Sequence, residues 1–202
     1  MIAFVRGTVE ERDETSVVLD NNGIGYRILV PSSVSDRLSA HEEVRLYTYL
    51  AVREDAMTLY GFLTHDDRLV FTQLLGVSGI GPKGALSVLS AISANDLRFA
   101  VLSDDLKTLG KIPGIGKKTA QKLILELKDK FDLRDALEDH TEEGLPFTAA
   151  SEGERTAEAE AIEALTALGY PGTQAMKAVR AVTAKGQEMS VETILKAALK
   201  NL

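Results

Sequence analysis

The chain reads as a multidomain α+β protein on three observations. Runs of β-branched and aromatic residues are confined to the first 63 positions. The segment Ser78-Gly-Ile-Gly-Pro-Lys-Gly-Ala85 recurs thirty-five positions later as Pro113-Gly-Ile-Gly-Lys-Lys-Thr-Ala120, each copy opening a stretch of helical periodicity. A polar, acidic stretch then precedes a last block of amphipathic helices. The expected order is an OB-type β-barrel over residues 1–63, an all-α domain of two helix-hairpin-helix units over 64–138, a flexible acidic linker over 139–155, and a three-helix, UBA-like domain over 156–202.

In the first block, Ile2–Arg6, Ser16–Leu19, Tyr26–Val30, Val44–Val52 and Met57–Phe62 read as strands, with Asn21-Asn22-Gly23 and Arg53-Glu54-Asp55 as turns. Five short strands in so small a block predict a closed barrel of OB type. From residue 64 onward the period changes to that of a helix. Thr64 and Asp67 form a capping-box pattern ahead of Leu69, Val70, Phe71, Leu74 and Leu75, and further helix starts are expected at Pro82, Asn95, Ser103 and Lys117.

The repeated Gly-Ile-Gly segments carry the chemistry. Gly79 and Gly81 in the first copy, and Gly114 and Gly116 in the second, let the backbone take positive φ and approach a ligand with no Cβ in the way. Ile80 and Ile115 anchor each turn. The unpaired N–H groups at the start of the following helix favour an anion, and Lys83, Lys117, Lys118 and Lys122 add full charges while Thr119 offers a hydroxyl. None of these groups reads a base edge, so the expected ligand is the phosphate backbone of DNA, held without sequence preference. The plainer alternative is a pair of tight inter-helix turns.

Two look-alike motifs fail on context. Gly79 to Gly84 matches G-x-G-x-x-G, but a helix precedes it where a dinucleotide site needs a strand. Gly110 to Thr119 resembles a nucleotide-triphosphate loop with one residue too many between its glycines. Neither a catalytic residue nor a cofactor or metal site is expected. The histidines, His41, His65 and His140, are scattered, and cysteine is absent, which fits a reducing compartment.

A formal net charge of −7 runs against DNA binding until it is located. Residues 132–163 hold eleven acids and two bases, so that segment carries −9 and the rest of the chain +2. Between Lys107 and Lys130 seven lysines face only Glu126 and Asp129. The second Gly-Ile-Gly copy lies inside this basic stretch. Met1-Ile-Ala-Phe-Val-Arg6 is not a signal peptide and no apolar run reaches spanning length, so a soluble cytoplasmic protein with no membrane partner is expected.

In the last block Ile162, Leu165 and Leu168 share a face that ends at Gly169. Ala178, Val179 and Val182 share a second, and Ile194, Leu195, Ala198 and Leu199 form a third after Ser190. So small a core on a long tether suits capture of a partner, although Leu165, Leu168 and Tyr170 equally suit a core.

The succession of barrel, paired hairpins, acidic tether and terminal helices resembles the RuvA family, the junction-recognition subunits of bacterial Holliday-junction branch migration machines. The resemblance rests on Val52-Arg-Glu-Asp-Ala56 with Leu59-Tyr-Gly-Phe62, on Gly79-Ile-Gly-Pro-Lys83 and Pro113-Gly-Ile-Gly-Lys-Lys-Thr-Ala120, and on Ala167-Leu-Gly-Tyr170. It implies a homotetramer, alone or as a facing pair, that binds four-way junction DNA with one duplex arm per subunit. It also implies that Glu54 and Asp55 form an acidic pin at the junction centre, a turn that the residues alone read as ordinary and solvated. Leu165, Leu168 and Tyr170 would meet a hexameric AAA+ ATPase, RuvB, with the RuvC resolvase as a further partner. The rival readings are a helix-hairpin-helix glycosylase, for which Asp135 sits near the required offset from Gly116, and a general excision-repair scaffold.

Overall fold

The computed structural model describes residues 1–131, 157–170, 172–183 and 190–200. The linker expected over 139–155, Asp135 and His140 lie outside the described residues. Five strands, β1 (Phe4–Arg12), β2 (Ser16–Asn21), β3 (Ile24–Leu29), β4 (Glu43–Val52) and β5 (Met57–Phe62), close into a barrel of order β1-β2-β3-β5-β4. A four-residue helix, α1 (Ser32–Ser35), sits between β3 and β4. All strand pairs are antiparallel except β3 with β5. Alternate residues, among them Val5, Val9, Val17, Leu19, Ile28, Val44, Leu46 and Leu59, fill the interior.

Strand β1 runs well beyond the expected Ile2–Arg6. Its continuation through Glu10, Glu11 and Arg12 is too polar to read as a strand. It stays paired with β2 through a register shift between Val9 and Glu11, which turns the charged side chains outward. The β2–β3 turn is as its sequence demands, with φ of 52° at Asn22 and 84° at Gly23.

Among the described residues eight further helices follow, in two groups. The middle of the chain holds α2 (His65–Leu75), α3 (Pro82–Ala91), α4 (Ala94–Leu102), the single turn α5 (Leu106–Leu109) and α6 (Lys117–Leu127). Thr64 caps α2, its hydroxyl accepting the Asp67 N–H at 3.0 Å, and burial pushes the Asp67 carboxyl above the usual carboxylate range. Two expected starts are corrected. Helix α4 is capped by Ser93 rather than begun at Asn95, and Asn95 instead accepts a hydrogen bond from Arg98 at 3.2 Å. Helix α5 is capped by Asp105, while Ser103 closes α4 and is itself buried. In both cases a neighbouring side chain accepts the first-turn amides, Ser93 that of Asp96 and Asp105 those of Lys107 and Thr108.

Asp105 offers a first test. Its carboxylate accepts from the N–H groups of Lys107 and Thr108, both at 3.1 Å, and from the Thr108 hydroxyl at 2.7 Å. The Thr108 hydroxyl, then the backbone amides, hold its pKa below the ordinary value. Asp105→Ala should therefore cost about 1 kcal/mol of stability at neutral pH. Because the folded pKa is depressed, that contribution is complete above the ordinary carboxylate range and is lost as pH falls through the depressed value. Chemical denaturation of parent and variant at pH 7 and near pH 2 should show the gap closing in acid.

Barrel and middle helices share one core. Phe71 of α2 packs against Tyr49, Tyr60 and Phe62 of the barrel at ring-centroid distances of 5.5, 5.3 and 4.9 Å. Strand β5 thus continues directly into the helical layer. On the far side, the fully buried Arg98 donates to Asp66 at 2.7 Å, with a second shorter contact to the same carboxylate, and lies 5.7 Å from the Phe131 ring. An ion pair so enclosed specifies which faces of α2 and α4 meet more than it adds net stability.

The terminal unit is α7 (Ala157–Ala167), α8 (Gly172–Thr183) and α9 (Val191–Ala198). Its core is Ala161, Ile162, Leu165, Ala175, Met176, Ala178, Val179, Ile194 and Ala198. Among the described residues no single helix is long and apolar enough to cross a membrane. The bent pair α3 and α4 passes that test only jointly, and it contributes Val88, Leu97 and Val101 to the protein core.

Candidate nucleic-acid interface

The two Gly-Ile-Gly segments trace the same turn. After α2 the chain passes Gly79 at φ +91°, the Ile80 N–H donates to the Val77 carbonyl at 3.0 Å, and Gly81 accepts from Ala85 at 2.9 Å as α3 begins. After α5 it passes Gly114 at φ +81°, Ile115 donates to Ile112 at 3.0 Å, and Gly116 accepts from Ala120 at 2.9 Å as α6 begins. Ile80 and Ile115 are both buried, as the anchoring role requires.

Only one glycine of each copy owes its place to positive φ. Gly81 and Gly116 have φ of −93° and −80° in extended backbone, so the expectation of positive φ there is corrected. The turn reverses within a single residue, Gly79 or Gly114. A Cβ added at Gly81 or Gly116 would meet nothing of the protein within 4 Å. The fold therefore sets no steric demand for glycine at these two positions. A ligand approaching the helix starts would.

Those starts are open to a ligand. Neither α3 nor α6 receives a side-chain cap at its N-terminus. Lys83, Lys117 and Lys118 stand exposed in the first turns, and Thr119 is half-buried beside them. The site is thus two sets of orphan amides at positive helix poles, each with exposed ammonium groups.

The two copies touch each other reciprocally. Lys122 Nζ of α6 reaches the Ser78 hydroxyl of the first hairpin at 3.4 Å, and the Ser87 hydroxyl of α3 reaches the Pro113 carbonyl of the second at 3.5 Å. Ser78 and Pro113 are equivalent under the repeat, and so are Ser87 and Lys122. Contacts of this crossed kind mark a two-fold arrangement. Lys122, counted with the second hairpin by sequence, in fact stands beside the first. Of the other lysines of this stretch, Lys128 is paired with Asp104 at 2.7 Å.

Strands β4 and β5 run out beyond the barrel into an exposed tip. Every residue from Val52 to Met57 is exposed, and the Arg53 N–H donates to the Ala56 carbonyl at 2.8 Å, leaving Glu54 and Asp55 at the apex. The barrel–helix core places this tip and the hairpins on one body.

In the terminal unit the three residues assigned to a partner separate. Leu165 is wholly buried, whereas Leu168 is 66% exposed and Tyr170 36%. Leu165 is therefore a core residue, packed with Ile162, Met176, Val179 and Ile194, while Gly169 at φ +94° turns the chain beyond the helix end. Leu168 and Tyr170 remain on the surface. His65 pairs with Arg68 at 2.7 Å and sits edge-on to Tyr47, and His41 is exposed in a turn. Among the described residues no group of three His, Cys, Asp or Glu side chains is placed to hold a metal ion.

Sequence reasoning missed Ser78, Ser87 and Glu126 as parts of the hairpin apparatus. Superposing the two copies at their offset would have drawn attention to Ser87 opposite Lys122. Nothing in the pattern pointed to Glu126, whose Oε2 accepts the Ser78 N–H at 3.1 Å.

Comparison with known proteins divides the chain in the same way. The family described as "RuvA N terminal domain" matches residues 1–61, "SAM-like Helix-hairpin-helix tandem" matches 71–129, and "RuvA, C-terminal domain" matches 156–202. Proteins named "Holliday junction branch migration complex subunit RuvA" match along the whole chain. That of Symbiobacterium thermophilum is 49% identical, covering 100% of this chain and 98% of its own length. That of Acetivibrio thermocellus is 47% identical with the same coverage, and that of Pseudomonas paraeruginosa 41% identical with both chains covered in full.

Proposed function

The chain belongs to the RuvA family, and from that premise we propose how its residues hold DNA. It is a non-catalytic, DNA-binding subunit of a Holliday junction branch migration complex. The observation that carries the residue assignment is the pair of open glycine positions, Gly81 and Gly116, at two uncapped helix poles flanked by exposed lysines. Gly79, Gly81 and Lys83 hold one phosphate run of a duplex arm. Gly114, Gly116, Lys117, Lys118 and Thr119 hold another, with Lys122 reinforcing the first.

Four copies arranged about a four-fold axis would give each arm of a four-way junction its own pair of hairpins. In that arrangement the Glu54–Asp55 tips converge on the crossover. Their repulsion is modest: two like charges ~10 Å apart in water cost about 0.4 kcal/mol before screening. A DNA stacking step is worth ~1.4 kcal/mol. The tips therefore guide strands apart and do not melt them. Branch migration exchanges one base pair for another, so energy is needed only to give it direction. That role falls to a separate hexameric ATPase, RuvB, held by the terminal unit through Leu168 and Tyr170, with the RuvC resolvase acting on the same junction. The setting is the cytoplasm.

Competition in a gel shift tests this reading. Parent protein bound to a labelled four-way junction should resist a large excess of linear duplex of the same sequence. The E54Q/D55N variant should bind the junction as tightly or more tightly while its preference over duplex narrows. A parent protein displaced equally by both DNAs would return the chain to a general DNA scaffold. An unchanged preference in the variant would leave the tip an ordinary solvated turn.

A further inference from the structure

The twin hairpins are not held in the same way. In the second, Pro113 occupies the position that precedes the glycine, and it has no N–H to place. Its ring fixes the local backbone instead. In the first, the equivalent residue is Ser78, whose N–H is donated to Glu126 Oε2 at 3.1 Å across 48 residues of chain. Glu126 lies on α6, the helix that the second hairpin opens. It is half-buried, and in the stretch from Lys107 to Lys130 it shares its sign only with Asp129.

An acid is an odd choice here. On a surface that grips phosphate, a carboxylate repels the ligand, and electrostatics alone would favour its removal. Its geometry supplies a reason for its presence. One oxygen is spent on the backbone of the opposite hairpin, and the adjacent Lys122 ammonium, one turn back on the same helix, reaches the hydroxyl of that same serine at 3.4 Å.

We propose that Glu126 is a positioning residue: its hydrogen bond to the Ser78 amide fixes the first hairpin relative to the second, so that both meet phosphates of one duplex together. The inference rests on the hairpins being the DNA grip. It assigns Glu126 no contact with DNA. What the carboxylate contributes is a fixed acceptor at the right reach, and its charge is a cost.

Two conservative variants separate acceptor from charge. Glu126→Gln keeps a side-chain oxygen at the same reach and loses the charge, whereas Glu126→Asp keeps the charge but is one methylene too short for the Ser78 N–H. Binding of linear duplex should be measured as a function of salt, with thermal melting of each variant. E126D should bind about 4-fold more weakly at 0.2 M salt, the loss of one phosphate contact, with a slope shallower by about 0.9. E126Q should bind at least as tightly as the parent. If Glu126 acts only as a charge, E126D should bind like the parent and only E126Q should change, binding more tightly; an E126D that binds like the parent overturns the proposal. A K83A/K117A/K118A variant run alongside tells the two levels apart. If that variant still binds like the parent, the hairpins are not the grip. If it fails to bind while E126D is unaffected, only the brace is wrong.

Discussion

Replacing Lys83, Lys117 and Lys118 together by alanine should weaken binding of a single duplex arm on the order of 80-fold at 0.2 M salt. The figure follows from counterion release, in which each phosphate contact contributes about 0.9 to the slope of log K against log salt, so three lost contacts remove about 2.7. All three side chains are exposed and form no ion pair among those seen in the fold, so the melting temperature should hardly move. The loss should be the same for any sequence, because no base edge is read. Salt titrations on two unrelated duplexes would decide the matter. A slope that stays put, or a loss confined to one sequence, would mean that these lysines are not at the phosphates.

The second large effect concerns division of labour along the chain. A chain ending at Asp139 keeps the barrel, its tip and both hairpins, so it should assemble and bind junctions like the parent. On the proposed role of the terminal unit, stimulation of the partner ATPase should vanish. Point changes then sort the terminal unit by burial. Leu168→Ala and Tyr170→Ala should leave its helical content intact and weaken partner capture by ~1–3 kcal/mol if they are interface anchors. Leu165→Ala should open a cavity at the centre of a very small core and cost ~2–5 kcal/mol of fold stability. Circular dichroism alongside the ATPase assay distinguishes the outcomes. A folded L168A/Y170A variant that recruits the motor at full strength would place the partner contact elsewhere on the unit.

Legibility in the sequence followed the physics of each signal. Period and turn chemistry are local, so strand β5, the Asn22-Gly23 turn and the Thr64 cap could be read directly. The repeat exposed both hairpins for the same reason. What escaped was decided by long-range competition. Ser93 and Asp105 displaced Asn95 and Ser103 as caps because tertiary packing set where each helix entered. Strand β1 ran on through charged residues because its partner β2 was there to pair with them. Gly81 looked like Gly79 in sequence, yet only the folded backbone shows that one serves conformation and the other leaves space. Leu165 and Leu168 lie three residues apart on one expected stripe, but the helix ends at Ala167, so only Leu165 packs against the other two helices and Leu168 stays exposed.

If the hairpins are the proposed DNA grip, the crossed contacts of Ser78 with Lys122 and of Ser87 with Pro113 bear on how a DNA arm moves through its holder. A B-form duplex has its own two-fold axes, perpendicular to its length, which exchange the two antiparallel strands. A holder with matching symmetry fits the arm equally well whichever end enters first. So far as the two hairpins match, such a grip has little polarity of its own. The duplex can advance or retreat by one base pair, with its accompanying screw rotation, and find the same pair of cradles waiting, so the holder behaves as a bearing rather than a ratchet. Any sense of forward in branch migration must then come from the machinery that turns the arm.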